Sequence, residues 1–157
     1  MSSAAAPITP TTVKPVQSPL NLVMKIKSPQ AYQELLGLLT QLESQPPDKN
    51  PLAIALTTLN NVHFARFLFM HDNTELGCFT EYDGTFEDYV NEFVDTIGDI
   101  FNALLERIDG APPLPVQKNR DAFLAYVRAN DLKSATFFAA YPTATVLDVK
   151  TALSAQG

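Results

Sequence analysis

The sequence has little of what usually marks a reaction. It holds one cysteine, Cys78, in 157 residues, so no internal disulfide is possible and the fold needs no oxidising compartment. A lone strand cysteine reads as a small hydrophobe. The two histidines, His63 and His71, stand eight apart and give no recurrent metal-ligand spacing with Cys78. The acids Glu81, Asp83, Glu87 and Asp88 lack the order of an EF-hand loop. There is no GxSxG elbow and no glycine-rich phosphate loop. No run approaches the ~20 apolar residues of a membrane helix. The first residues lack the basic start and apolar stretch of a signal peptide. Bases are scarce where acids are dense: residues 72–109 carry eleven Asp and Glu against one base, Arg107. With a net charge of −6, that surface repels a phosphate backbone. The expectations are therefore a cytoplasmic protein with no metal, no cofactor, no nucleic-acid partner and no membrane partner.

What is present is a core. At 46% hydrophobic, the chain can fold as one domain. Residues 1–18 are rich in Ala, Pro, Ser and Thr and read as a flexible tail, leaving 19–157 as the domain. Residues 20–27 alternate, with Leu20, Leu22, Met24 and Ile26 on one side, as a half-buried strand does. Ser28-Pro29 opens a helix, because Ser is a good N-cap and proline suits the first turn. Pro46-Pro47 stops it. Residues 51–59 are ambiguous; proline at the start and the alanine content favour a short helix over a strand.

The hairpin at 62–83, VHFARFLFMHDNTELGCFTEYD, is the clearest signal: two apolar runs around His71-Asp72-Asn73-Thr74. A helix over 86–108 follows, capped by Thr85 and stopped by Gly110. A shorter helix is expected from Lys118 or Asn119 to about Ala129, a last strand over 133–141, and a final helix capped by Thr143 or Thr145 and running to about Leu153. Without the short helices, the order is β-α-β-β-α-β, the ferredoxin-like α+β arrangement of an antiparallel sheet with helices on one face.

A two-residue turn at Asp72-Asn73 sets Phe67 against Cys78, Arg66 against Phe79 and His63 against Tyr82. Both faces of the hairpin are then largely apolar. Helices cover one, and a second copy is the economical cover for the other, which predicts a homodimer. On that second face, Arg66 and Glu81 are diagonal neighbours among Phe64, Leu68, Met70 and Phe79. They form either a structural ion pair or the polar floor of a pocket. His63 is expected on the helix-packed face near Tyr82. The candidate ligand-binding residues are Arg66, Glu81, Phe64, Phe79, His63 and Tyr82; no catalytic residue can be assigned.

The element order and the covered second face resemble the dimeric α+β barrel superfamily. The HFARF run followed by TEYDG also resembles an uncharacterised bacterial group with that fold, over about residues 20–155. The resemblance implies sheet-to-sheet pairing of two ferredoxin-like domains. It allows cofactor-free monooxygenases, haem enzymes and small-molecule binders. The haem enzymes generally take a proximal histidine from a helix, whereas both histidines here fall in the hairpin, so haem is not expected. The preferred reading is a small-molecule-binding or interaction module. The alternative is a monooxygenase-like or isomerase-like enzyme acting on a small apolar or anionic compound.

Overall fold

The structure, a computed structural model, describes residues 13–156. Its elements are strand β1 (Gln17–Lys25), helices α1 (Pro29–Glu43) and α2 (Pro51–Leu59), strands β2 (Val62–Met70) and β3 (Glu75–Asp83), and helices α3 (Phe86–Leu105), α4 (Arg120–Asn130) and α5 (Val146–Ser154). A single 3-10 turn, Val116–Lys118, precedes α4. The fold is α+β, and the described sheet is antiparallel with strand order β1-β3-β2.

Local chemistry sets most of the boundaries. Ser28 accepts the Ala31 amide, and Pro29 occupies the first turn of α1. Asn50 caps α2 through the amides of Leu52 and Ala53, with Pro51 next, so the ambiguous segment is helical. Thr85 caps α3 by accepting from the Asp88 amide at 3.2 Å. At the hairpin tip His71, Asp72 and Asn73 all take left-handed backbone, which His, Asp and Asn tolerate better than most residues. The pairing places Phe67 opposite Cys78 and Arg66 opposite Phe79, as the short turn requires.

The core lies between one sheet face and the helices. Leu20, Leu22, Met24, Leu76, Cys78 and Tyr82 from the strands meet Leu35, Ala55, Val90, Phe93, Val94, Phe101 and Phe123. Phe93 and Phe101 pack edge to face at 4.5 Å, and Tyr82 stacks on Tyr89 at 4.1 Å. Burial pushes the Cys78 thiol up to about 12, so it acts as a small apolar group. Among the described residues no helix is long and apolar enough to cross a membrane.

Three expectations need correction. Residues 1–12 of the expected tail lie outside the described residues. Gln17 and Ser18, however, belong to β1 and pair with Asp83 and Tyr82, while the Val16 amide donates to the Pro142 carbonyl. The strand expected at 133–141 is irregular chain. The reason lies on the edge of β1. Asn21 turns its backbone outward there, donating its N–H to the Asp131 carboxylate (2.8 Å) and accepting from the Leu132 amide (2.9 Å). Two residues earlier on the same edge stands Pro19, which has no N–H to give a ladder. Beyond Leu132 the chain keeps to the β1 edge through side-chain bonds, Asn21 Nδ2 to Ser134 Oγ and Gln17 Nε2 to the Tyr141 carbonyl, without forming a ladder. Finally, α3 ends at Leu105 rather than 108; Ile108 has left the helix and bridges to Ile26.

Candidate functional site

The sheet face opposite the core carries an open groove of about 560 Å³. Its floor is the start of β2 and the end of β3, with His63, Phe64, Arg66 and Glu81. Its wall is the irregular segment that failed to become a strand, with Phe137, Phe138 and Tyr141. Gln17 and Val149 close the ends. Ring surface dominates and is unusually bare: Phe64 is 73% exposed and Phe138 is 87% exposed. Concave sites with mostly apolar walls and a few polar groups are the usual form of a small-molecule site.

The polar groups have defined states. A β-bulge between Val62 and Phe64 sets Val62, not His63, opposite Tyr82. His63 lines the groove with Phe64 instead of packing near Tyr82, which corrects its expected place. Its Nε2 lies 2.7 Å from Asp83 Oδ1. An ionised carboxylate only accepts, so Nε2 carries the proton of that bond. The other Asp83 oxygen accepts the Val146 amide, the first N–H of α5, at 2.7 Å. One carboxylate thus orients the imidazole and anchors a helix whose dipole favours it. Both side chains are nearly enclosed, at 15% and 11% exposure.

Arg66 and Glu81 share the face and the groove, as expected, but make no ion pair; neither has a charged partner among the described residues. Arg66 is exposed, and its guanidinium lies 5.5 Å from the centroid of the Phe79 ring. That ring in turn covers Gly77, where a Cβ would collide with it. Glycine lets Phe79 lie flat along the sheet beneath Arg66. Tyr82, the remaining candidate, points into the core and takes no part in the groove. Burial first, and the Asp131 charge second, raise its pKa.

Gln17 was not among the sequence candidates. It is buried, and its Nε2 donates to the carbonyls of Tyr141 (2.8 Å) and Ala144 (2.6 Å), fastening the wall to β1. Its Oε1 is buried and has no partner among the described residues. Asp83 was also missed, because an aspartate before Gly84 reads as turn chemistry. Phe137, Phe138 and Tyr141 were misread as strand residues.

A second groove of about 730 Å³ runs between α1, α2 and the outer edge of β2, lined by Leu39, Leu42, Leu52, Leu56, Phe67 and Phe69. Thr40, Glu43, Ser44, Asn50 and Arg66 line it too, so Arg66 borders both grooves. His71 stands at the hairpin tip, its Nδ1 against Glu75, away from both grooves. Among the described residues no three His, Cys, Asp or Glu side chains gather as metal ligands. The chain matches no protein-family model, no curated protein and no solved structure.

Proposed function

We propose that this protein is a small-molecule-binding module of ferredoxin-like type, working as a homodimer of the dimeric α+β barrel kind. The observation that carries the reading is the aromatic groove on the sheet face opposite the core, with Arg66, Glu81 and an oriented His63 lining it. The sheet order β1-β3-β2 supports the ferredoxin-like topology, because the segment after Leu132 follows the β1 edge where a fourth strand would lie. The bare Phe64 and Leu68 support a second copy over this face, since exposed apolar patches of this kind mark interfaces.

One observation favours a second reading, an isomerase-like or cofactor-free monooxygenase-like enzyme. The Asp83–His63 pair fixes an imidazole at the groove and leaves Nδ1 without a partner among the described residues. That is the arrangement of a general base held by a carboxylate.

The test combines two measurements on the intact chain. Sedimentation at micromolar concentration should give twice the 17.2 kDa chain mass. A thermal-shift screen of aromatic fragments should find compounds that stabilise the wild type and not Phe138→Asp, which places a charge on the groove wall. A monomer would remove the barrel arrangement. Fragments that stabilise both proteins equally would remove the groove.

A further inference from the structure

We infer that the outer edge of β2 takes up an extended peptide as an added antiparallel strand, and that this peptide alternates apolar residues with acids. The site lies along the second groove; only Ala65 and Arg66 border the aromatic groove as well. In the strand order β1-β3-β2, β2 is an edge. The direction of its backbone groups follows from the opposite edge. Asn21 turns both of its groups away from the sheet, its N–H to Asp131 and its carbonyl to the Leu132 amide. Asn21 stands opposite Phe79, and Phe79 opposite Arg66. An antiparallel ladder exchanges bonds only at alternate pairs. Phe79 therefore bonds toward β2, Arg66 bonds back to it, and Ala65, Phe67 and Phe69 point their N–H and carbonyl groups outward. The Asp83 amide donates to the Asn61 carbonyl, the same alternation at the end of the strand. No other bond reaches the outward groups among the described residues.

The usual protections of an edge are missing. Soluble proteins blunt edge strands with lysine, proline or very short length. β2 is nine residues long and contains neither lysine nor proline. Its bulge lies at the start, between Val62 and Phe64, so the rest of the edge is regular. Ala65 stands opposite the buried Thr80 and shares its side of the sheet, yet Ala65 is exposed, and Phe67 and Phe69 are only half-buried. The core layer thus stops short of this edge and leaves the second groove beside it, with Leu39, Leu42, Leu52 and Leu56 in its lining. An added strand sets every second side chain against that apolar lining.

Charge selects the occupant. Cross-strand neighbours share a sheet face, so the alternate residues of an added strand lie on the Arg66 side. Arg66 has no charged partner among the described residues, and an acid beside it completes a cross-strand pair. The β2 of a second copy supplies no such acid, because residues 62–70 hold neither Asp nor Glu.

Blocked heptapeptides titrated into the intact protein test the assignment, with binding followed by amide chemical shifts and hydrogen exchange. The first is Thr-Val-Glu-Val-Glu-Val-Thr, and the second has lysine in place of glutamate. Two more are the acidic peptide methylated on the backbone nitrogen of its central valine or of one glutamate. In antiparallel pairing the groove-facing valines exchange the bonds with Ala65, Phe67 and Phe69, while the glutamate nitrogens face away. The acidic peptide should shift the amides of these three residues and slow their exchange. The lysine peptide should bind about fivefold more weakly, the scale of turning an attractive cross-strand charge pair into a repulsive one. Methylation at valine should abolish binding, and methylation at glutamate should leave it. Arg66→Glu should reverse the preference between the acidic and lysine peptides; the position is exposed, so the variant should fold, and circular dichroism verifies it. Equal binding of the two methylated peptides, or an unchanged preference in Arg66→Glu, would overturn the assignment. So would the absence of any shift at these three amides. If the protein alone already protects them, and more so as its concentration rises, a second copy holds the edge and the peptide assignment is wrong.

Discussion

Replacing Asp83 with alanine should detach α5 without unfolding the domain. The carboxylate accepts two bonds of 2.7 Å, one from His63 Nε2 and one from the Val146 amide, and is only 11% exposed. Bonds to a charged acceptor contribute about 1.5–3 kcal/mol each, and the loss also strands two donors in a nearly dry site. Little else holds the helix. Val146 is its one buried side chain among the described residues, while Leu147 and Leu153 are more than half exposed. The remaining tether is Lys150, whose Nζ reaches Asn60 Oδ1 at 2.6 Å. A loss of about 3 kcal/mol therefore exceeds what keeps so lightly packed an element in place, and local opening is the cheapest response. Hydrogen exchange should show the α5 amides losing protection by about a hundredfold (~1.4 kcal/mol per factor of ten), with amides of β1 and β3 nearly unchanged. Asp83→Asn should fall between, since an amide keeps one acceptor. If α5 stays protected in Asp83→Ala, the carboxylate is not its anchor.

Two further outcomes follow from the core and the same helix. Cys78, buried with its thiol pushed up to about 12, should resist a thiol reagent at pH 8 in the native protein and react at once in denaturant; native labelling at the free-thiol rate would show that its part of the core opens. Asp148 accepts the Thr145 amide in the capping box of α5, and this holds its carboxyl below the usual carboxylate range. A depressed folded pKa gives stability that is present above the unfolded value of about 4 and lost as pH falls through the lower folded value. Protection of α5 should thus fall in that acid window, and Asp148→Asn should flatten the change; an unaltered profile would assign the acid response to another group.

The parts of this fold written in local chemistry were legible from sequence. Ser28-Pro29 and Thr85 announced two helices, and the Asp72-Asn73 turn fixed the pairing of Phe67 with Cys78. What depended on distant partners was not. Nothing near residues 133–141 shows that Pro19, more than a hundred positions earlier, denies that segment a ladder donor. A single bulged residue moved His63 from the helix-packed face to the groove, because strand side chains alternate with a period of two. Tyr82 and Glu81 are sequence neighbours, yet the strand alternation sends one to the core and the other to the groove. The Arg66–Glu81 juxtaposition was visible from the register, but the pair does not form, since Arg66 is exposed over Phe79 and incurs no penalty for remaining unpaired.

The central claim is that the aromatic groove on the sheet face opposite the core binds a small molecule. Its most direct measurement is an amide chemical-shift map of the intact protein titrated with a library of aromatic fragments. The hits should cluster their shifts on His63, Phe64, Arg66 and Glu81 in the strands and on Phe137 to Tyr141 in the wall, and should saturate together. A library that yields no hit there, or hits that gather instead on the groove between α1, α2 and β2, would contradict it.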